Sequence, residues 1–263
     1  MGRQLESFTL ADLSDPQQFR GAVQNVANVY DATPEQVRQA GRQWYERVHE
    51  ATAKGTRNRG LTVEQGAGVV AAVSPNMDWE RGNIKAFDEL TGLRESDWGV
   101  IQRSSRGQRR SHDARTLLQG LSVSSANDRD LLKAHRIMQG EDVETVLPRR
   151  TAPKTNSFAR NISNPAIAGP VTIDGRAHDV AVNQRVPWKR SRGLKSASLP
   201  SGKKTRYEHF EDAYRGASSA VGVLPHEMQA VVWEGGRAIE RYGVTKSGRP
   251  RKIGVPRVGQ PYV

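Results

Sequence analysis

Residues 147–180, LPRRTAPKTNSFARNISNPAIAGPVTIDGRAHDV, are the stretch whose reading decides the fold. A Lys-Thr pair, Lys154-Thr155, opens a helix expected over 155–162. Twenty residues beyond Lys154, Asp174 ends a short apolar run (Val171-Thr172-Ile173) and leads into another helix. A lysine in a first helical turn stands against the helix dipole, which disfavours cations there. Desolvation at that positive end is expected to lower its pKa, as an amine nucleophile requires. Asp174, at the head of the following helix, is expected to cap it and to face the same cleft. Val171–Ile173 is the one β-like piece and is too short to make a sheet central, so the pattern predicts an all-α fold.

The helical pattern extends on both sides. Thr33-Pro34-Glu35-Gln36 reads as a helix start with Thr33 as cap. Val37, Ala40, Trp44, Tyr45 and Val48 then recur at helical spacing and predict one helix to about residue 53. Thr62-Val63-Glu64-Gln65 is a second capping box and opens the apolar stretch 66–73. Ser74-Pro75-Asn76 interrupts it, because proline restricts the residue before it. A third helix is predicted over 78–90 with Trp79, Ile84, Phe87 and Leu90 inward, and others over 128–138, 207–221 and 225–242.

The chain of 263 residues suits one large domain or two small lobes sharing a core. It has no cysteine, which excludes disulfides, Fe–S clusters and Cys-ligated zinc. No apolar run is long enough for a membrane span, and the start MGRQLESFTLADLSD lacks an apolar signal core. A cytoplasmic protein is therefore expected. The six histidines show no metal-ligand spacing, so neither metal nor cofactor is expected.

The formal net charge of +12 favours a polyanionic partner, since Lys and Arg displace counterions from phosphates. The basic residues concentrate in three acid-poor stretches. Residues 103–115 carry five arginines and one aspartate, 185–206 hold eight Lys/Arg and no acid, and the tail KSGRPRKIGVPR adds five more. Their composition predicts solvated loops, and a phosphate backbone explains three of them better than chance does. Expected DNA contacts are Arg109, Arg110, Arg149, Arg150, Lys189, Arg190, Arg192, Lys203, Lys204, Arg249 and Arg251. Trp188 is either a base-stacking residue or a hydrophobic anchor. Gly248-Arg249-Pro250-Arg251-Lys252 resembles the core of an AT-hook, which places Arg in a narrow minor groove.

The window 147–180 resembles the helix-hairpin-helix DNA glycosylase superfamily, including its endonuclease III type. The resemblance covers roughly residues 60–240. In that family a hairpin precedes a catalytic Lys followed by Thr or Val, and about 20 residues later comes a Val-Asp-x-His-like segment. By this match Lys154 falls on the catalytic lysine and Asp174 on the catalytic aspartate. AAVSPNMDWERGNIKAF (71–87) resembles the family's Leu-Ser-x-Gln-Thr junction and places Asn76 where a Gln probes the opened duplex. The glycine-rich hairpin Leu-Pro-Gly-Val-Gly is replaced by Leu147-Pro148-Arg149-Arg150-Thr151-Ala152-Pro153. Those glycines let backbone N–H groups approach a phosphate, so Arg149 and Arg150 are expected to substitute side-chain charge.

Phage-encoded members of the fold are a closer likeness. They carry Lys-x-x-x-Phe-x-x-Asn-Ile, Val-Thr-Ile-Asp and a late Pro-x-x-x-Gln-Ala/Ser-x-x-Trp-Glu-x-x-Arg helix. Here these read Lys154, Phe158, Asn161-Ile162, Val171–Asp174, and Pro225, Gln229, Trp233, Glu234, Arg237. The resemblance implies a two-lobed helical fold with a cleft, and a base flipped from double-stranded DNA. It implies base excision by Lys154 and Asp174 or, in some relatives, transfer of an amine to an activated hydroxymethyl pyrimidine. A non-catalytic DNA-binding scaffold is the third reading.

Asn76, Trp79, His178, Gln229, Trp233 and Glu234 are candidates for the base pocket. Four have a plainer alternative: His178 as a satisfied helix histidine, Trp233 as core, Gln229 as surface, and Glu234 as a partner of Arg237. The expected organisation is a monomer with one helical domain over 1–243, a basic loop inserted at 184–206, and a flexible basic tail over 244–263.

Overall fold

The computed structural model describes residues 12–57, 59–75, 82–107, 109–183 and 204–243, with backbone alone at 82–84 and 236–243. In chain order its helices are α1 (Pro16–Ala32), α2 (Glu35–Arg42), α3 (Trp44–Arg57), α4 (Val63–Val73) and α5 (Gly82–Thr91). They continue as α6 (Glu95–Ser105), α7 (His112–Leu118), α8 (Asp128–Met138), α9 (Val143–Val146) and α10 (Pro153–Ser163). The last three are α11 (Gly175–Ala181), α12 (Arg206–Val221) and α13 (Pro225–Gly243), and a 3-10 turn lies at Ser122–Ser125. The described residues contain no strand. The fold is all-α as expected, and Val171–Ile173 is irregular chain leading into α11.

The chain divides into two compact units. One comprises the described parts of Met1–Arg38, Ile173–Val223 and Val231–Val263; the other comprises those of Gln39–Thr172 and Leu224–Ala230.

The second unit is organised around α4. Thr62 caps it: its hydroxyl accepts from the Gln65 N–H, and the Gln65 side chain accepts from the Thr62 N–H. Every residue from Gly66 to Val73 is buried, and a helix apolar on all sides belongs inside a core. Helices α3, α5, α8 and α10 pack around it. Two glycines permit the close approach. A Cβ on Gly66 would lie 2.5 Å from Thr56 Cγ2, and one on Gly68 would lie 2.9 Å from a Val143 methyl. Trp44 stands edge-on to Tyr45 at 4.8 Å and stacks on Phe158 at 6.0 Å. Leu90, Ile101, Leu118, Leu131, Ile137 and Ile162 are fully buried beside them.

In the first unit α1 packs on α11 and α12. Asp15 starts α1 by accepting from the Gln17 and Gln18 N–H groups, with Pro16 in the first turn. Helix α11 has only seven residues, too few to hold itself in water. Side chains from its neighbours fasten it: Asn25 Nδ2 donates to the Ala181 carbonyl and Tyr214 Oη to the Ala177 carbonyl, each at 2.9 Å.

Three expectations are corrected. The single helix from residue 33 to 53 is two, with the break at Gln43. Thr33 does not cap it. The buried Thr33 hydroxyl donates to the Val29 carbonyl at 2.6 Å and its N–H to the Tyr30 carbonyl, so it closes α1. Residues 103–115 are not a loop throughout, since they hold the end of α6 and the start of α7. The expected helices do not include α1, α6, α7 or the short α9. The basic segment at 184–203 and the tail at 244–263 lie outside the described residues.

Candidate active site

Asp174 is the N-cap of α11, and both of its carboxylate oxygens are engaged. Oδ1 accepts from the Ala177 N–H at 2.8 Å; Oδ2 accepts from the indole Nε1–H of Trp233 on α13 at 2.9 Å. The expectation that Asp174 caps the next helix is met. The Arg176 guanidinium lies over the Trp233 ring, 4.3 Å from its centroid, close enough for a cation–π interaction. One indole thus holds an aspartate by its edge and receives an arginine on its face.

Burial pushes the Tyr214 phenol well above its ordinary pKa, and the negative charges of Asp174 and Asp179 push it further. Tyr214 therefore stays a neutral donor to the Ala177 carbonyl. The Tyr207 hydroxyl accepts from the Ile173 N–H at 2.9 Å and fixes the chain one residue before the carboxylate. His178 is buried, 3.1 Å from Asp179 Oδ1 and 4.9 Å in ring centroids from Phe210. That is the satisfied helix histidine, the plainer of its two readings. Glu234 is half-buried on α13.

Lys154 belongs to the second unit. It is the second residue of α10, half-buried, behind the buried Pro153 at the first position. The turn at 147–152 joins α9 to α10. Thr151 and Ala152 donate their N–H groups to the Pro148 carbonyl, and Asn156 Nδ2 donates to the Leu147 carbonyl at 2.8 Å. Arg149 bends back, its Nη1 donating to Ser157 Oγ at 3.1 Å, while Arg150 is exposed.

Gln229 is not on the surface: it is fully buried in the second unit. Asn161 Nδ2, Thr172 Oγ1, Tyr45 Oη and Gln229 Oε1 form a chain with links of 3.2, 3.1 and 2.9 Å. The Tyr45 phenol has one proton. If it goes to Gln229, Thr172 donates to Tyr45 and Asn161 donates to Thr172. That order leaves Asn161 Oδ1 and Gln229 Nε2 without hydrogen-bond partners, as they are among the described residues. His226 lies edge-on to Tyr45 at 5.3 Å. Sequence reasoning did not identify Arg176, Tyr207, Tyr214 or this chain. Arg176 had a signal in its position two residues after Asp174, whereas the others join residues far apart in sequence.

Of the basic residues, Arg110 is committed to the protein itself. Its guanidinium meets Asp128 Oδ1 at 2.5 Å, the Ser124 carbonyl at 2.8 Å, and the Ala126 carbonyl. Lys204 pairs with Asp212 at 2.6 Å. Arg109 is exposed. Asn76, Trp79, Lys189, Arg190, Arg192, Lys203, Arg249 and Arg251, with Trp188, lie outside the described residues. Among the described residues there is no group of three or more His, Asp or Glu placed to hold a metal, and no helix is long and apolar enough to cross a membrane.

A family model, described as a family of unknown function (DUF7178), matches residues 10–238. The chain belongs to this family. The match includes both Lys154 and Asp174, with the α13 segment that carries Trp233. No curated protein and no solved structure matches this DUF7178 chain.

Proposed function

We propose that this DUF7178 member is a DNA-base-directed enzyme of the helix-hairpin-helix glycosylase type. It acts on a nucleotide extruded from the duplex and cleaves the N-glycosidic bond of a damaged or modified base. The observation that carries the reading is the environment of Asp174: a carboxylate held by one backbone N–H and one indole N–H at the head of α11.

Extruding the base costs a few kcal/mol. As the bond to the base lengthens, the sugar gains positive charge, and a fixed carboxylate stabilises it without reorganising. The Lys154 amine, as free base, adds to the anomeric carbon. The base leaves with the bonding pair and takes up a proton, the amine loses its own, and ring opening gives a Schiff base.

A second reading is supported by the Trp233–Asp174 hydrogen bond. It joins the late Trp-Glu helix, which the sequence shares with phage-encoded members of the fold, to the Val-Thr-Ile-Asp segment. In that reading an amine displaces a leaving group from the 5-methylene of an activated pyrimidine, and the glycosidic bond survives.

The test uses the full chain and duplexes containing modified pyrimidines. Borohydride should trap a covalent protein–DNA adduct that Lys154→Ala cannot form, and mass spectrometry should show free base. A heavier nucleoside without released base selects the transferase; unchanged DNA with every duplex rejects catalysis.

A further inference from the structure

The second unit carries a depression of about 450 Å³ where the end of α6, the turn after it and the start of α8 meet. Ser104, Ser105, Arg109, Arg110, Asp128 and Arg129 line it. Its three arginines face one acid, and that acid is already taken. Asp128 is 9% exposed and receives Arg110 Nε and Ser104 Oγ at 2.5 Å each. Ser104 Oγ in turn accepts from the Ser111 N–H at 2.9 Å. The floor is thus a closed network that anchors the turn. Arg109 and Arg129 stand exposed above it, and no ion pair to either is found among the described residues. Arg129 also occupies the first turn of α8, where the helix dipole disfavours a cation. Its two acidic neighbours in that turn are engaged elsewhere, Asp128 with Arg110 and Asp130 with Lys133.

We propose that this depression seats the DNA backbone, with Arg109 and Arg129 each meeting a phosphodiester oxygen and Arg110 acting as the positioning residue beneath them. The lining residues include no aromatic side chain on which a base could stack. The volume exceeds what a lone phosphate fills, and two exposed guanidiniums suit two successive phosphodiesters. The inference rests on the nucleic-acid part of the proposed function and adds to it a seat formed by residues other than Lys154 and Asp174. The bound strand is read here through its charge and geometry, without base contacts.

The experiment compares the full chain with R109Q/R129Q on one duplex between 0.05 and 0.3 M salt. Both substitutions are at exposed positions, so the thermal midpoint should not move. The plot of log K against log salt should lose about 2 units of slope, and affinity at 0.1 M should fall by about 10- to 100-fold. A variant that binds with unchanged slope and affinity overturns the seat and leaves the enzymatic reading intact. Failure of the unsubstituted chain to bind any duplex overturns both. Loss of stabilisation by inorganic pyrophosphate, with duplex binding unchanged, reassigns the depression to small phosphates and overturns the proposal.

Discussion

Asp174 can be tested through the residue that holds it. Trp233→Phe keeps an aromatic face for Arg176 and deletes the N–H that Asp174 Oδ2 accepts at 2.9 Å, together with the bulk of one ring. A hydrogen bond to a charged group contributes about 1.5–3 kcal/mol, and a reacting group displaced by an ångström loses about 100-fold in rate. The expected result is base release, or adduct formation, slowed by about 10- to 100-fold with duplex affinity unchanged. Equal rates would show the indole to be core alone. His226 gives a second test. Burial lowers its imidazole pKa, partly opposed by a hydrogen bond to the Pro165 backbone. A histidine with a depressed folded-state pKa binds its proton more readily when unfolded. Its stabilisation is complete above the unfolded value near 6.5 and is lost as pH falls toward the folded one. Urea midpoints should therefore drop between pH 7.5 and 5, and His226→Gln should drop less. Parallel losses in the two proteins would assign the acid sensitivity elsewhere. Trp233 and Gln229 are legible in the sequence as candidates, but their partners, Asp174 and Tyr45, lie 59 and 184 residues away, and nothing in the sequence marks His226.

Helix α4 shows how one element can reverse the usual effect of Gly→Ala. Alanine in a helix interior gains up to about 1 kcal/mol over glycine. At Gly68 the added Cβ would lie 2.9 and 3.0 Å from the two Val143 methyls and 3.1 Å from Ile137 Cδ1. A β-branched valine has few rotamers to retreat into, and overpacking a tight core costs about 1–3 kcal/mol. Gly68→Ala should lower stability by about 1–2 kcal/mol. Gly21→Ala in α1, with nothing within 4 Å of the new Cβ, should raise it. Calorimetry that moves both midpoints in one direction would refute the packing argument. Local chemistry made some elements readable in advance. Helix α8 begins and ends where its pattern predicts, because Asn127 caps it and its inward residues recur at helical spacing. The box at Thr62–Gln65 was equally plain. Helix α7 was hidden because composition counts the charge of Arg110 but cannot see that Asp128, 18 residues away, neutralises it. Thr33 misled for a related reason: a hydroxyl beside a proline suits the start of one helix or the end of another, and only the Val29 carbonyl decides between them.

On the scale of the whole chain, both units are discontinuous in sequence. The second unit takes Gln39–Thr172 and completes itself with Leu224–Ala230, a segment from the far end. That short segment supplies Met228 and Gln229, both fully buried, together with His226 and Ala230. Without it Tyr45 keeps Thr172 at 3.1 Å but loses the acceptor at 2.9 Å, and one such hydrogen bond contributes about 0.5–1.5 kcal/mol. Removal of a buried methionine costs about 2–5 kcal/mol more through lost transfer energy and the cavity left behind. Domains are stable by about 5–15 kcal/mol in all, so the loss is large against the total. A fragment of residues 39–172 should keep much of its helical signal in far-UV circular dichroism. It should unfold at lower urea than the full chain, with a broad transition. Adding residues 224–243 as a separate peptide should raise the midpoint and sharpen the curve, since a ligand that binds only the folded form stabilises it. The same peptide carrying Gln229→Ala and Met228→Ala should not. A fragment that unfolds at the midpoint of the full chain, or ignores the peptide, would mean that the core around α4 closes without its distant segment.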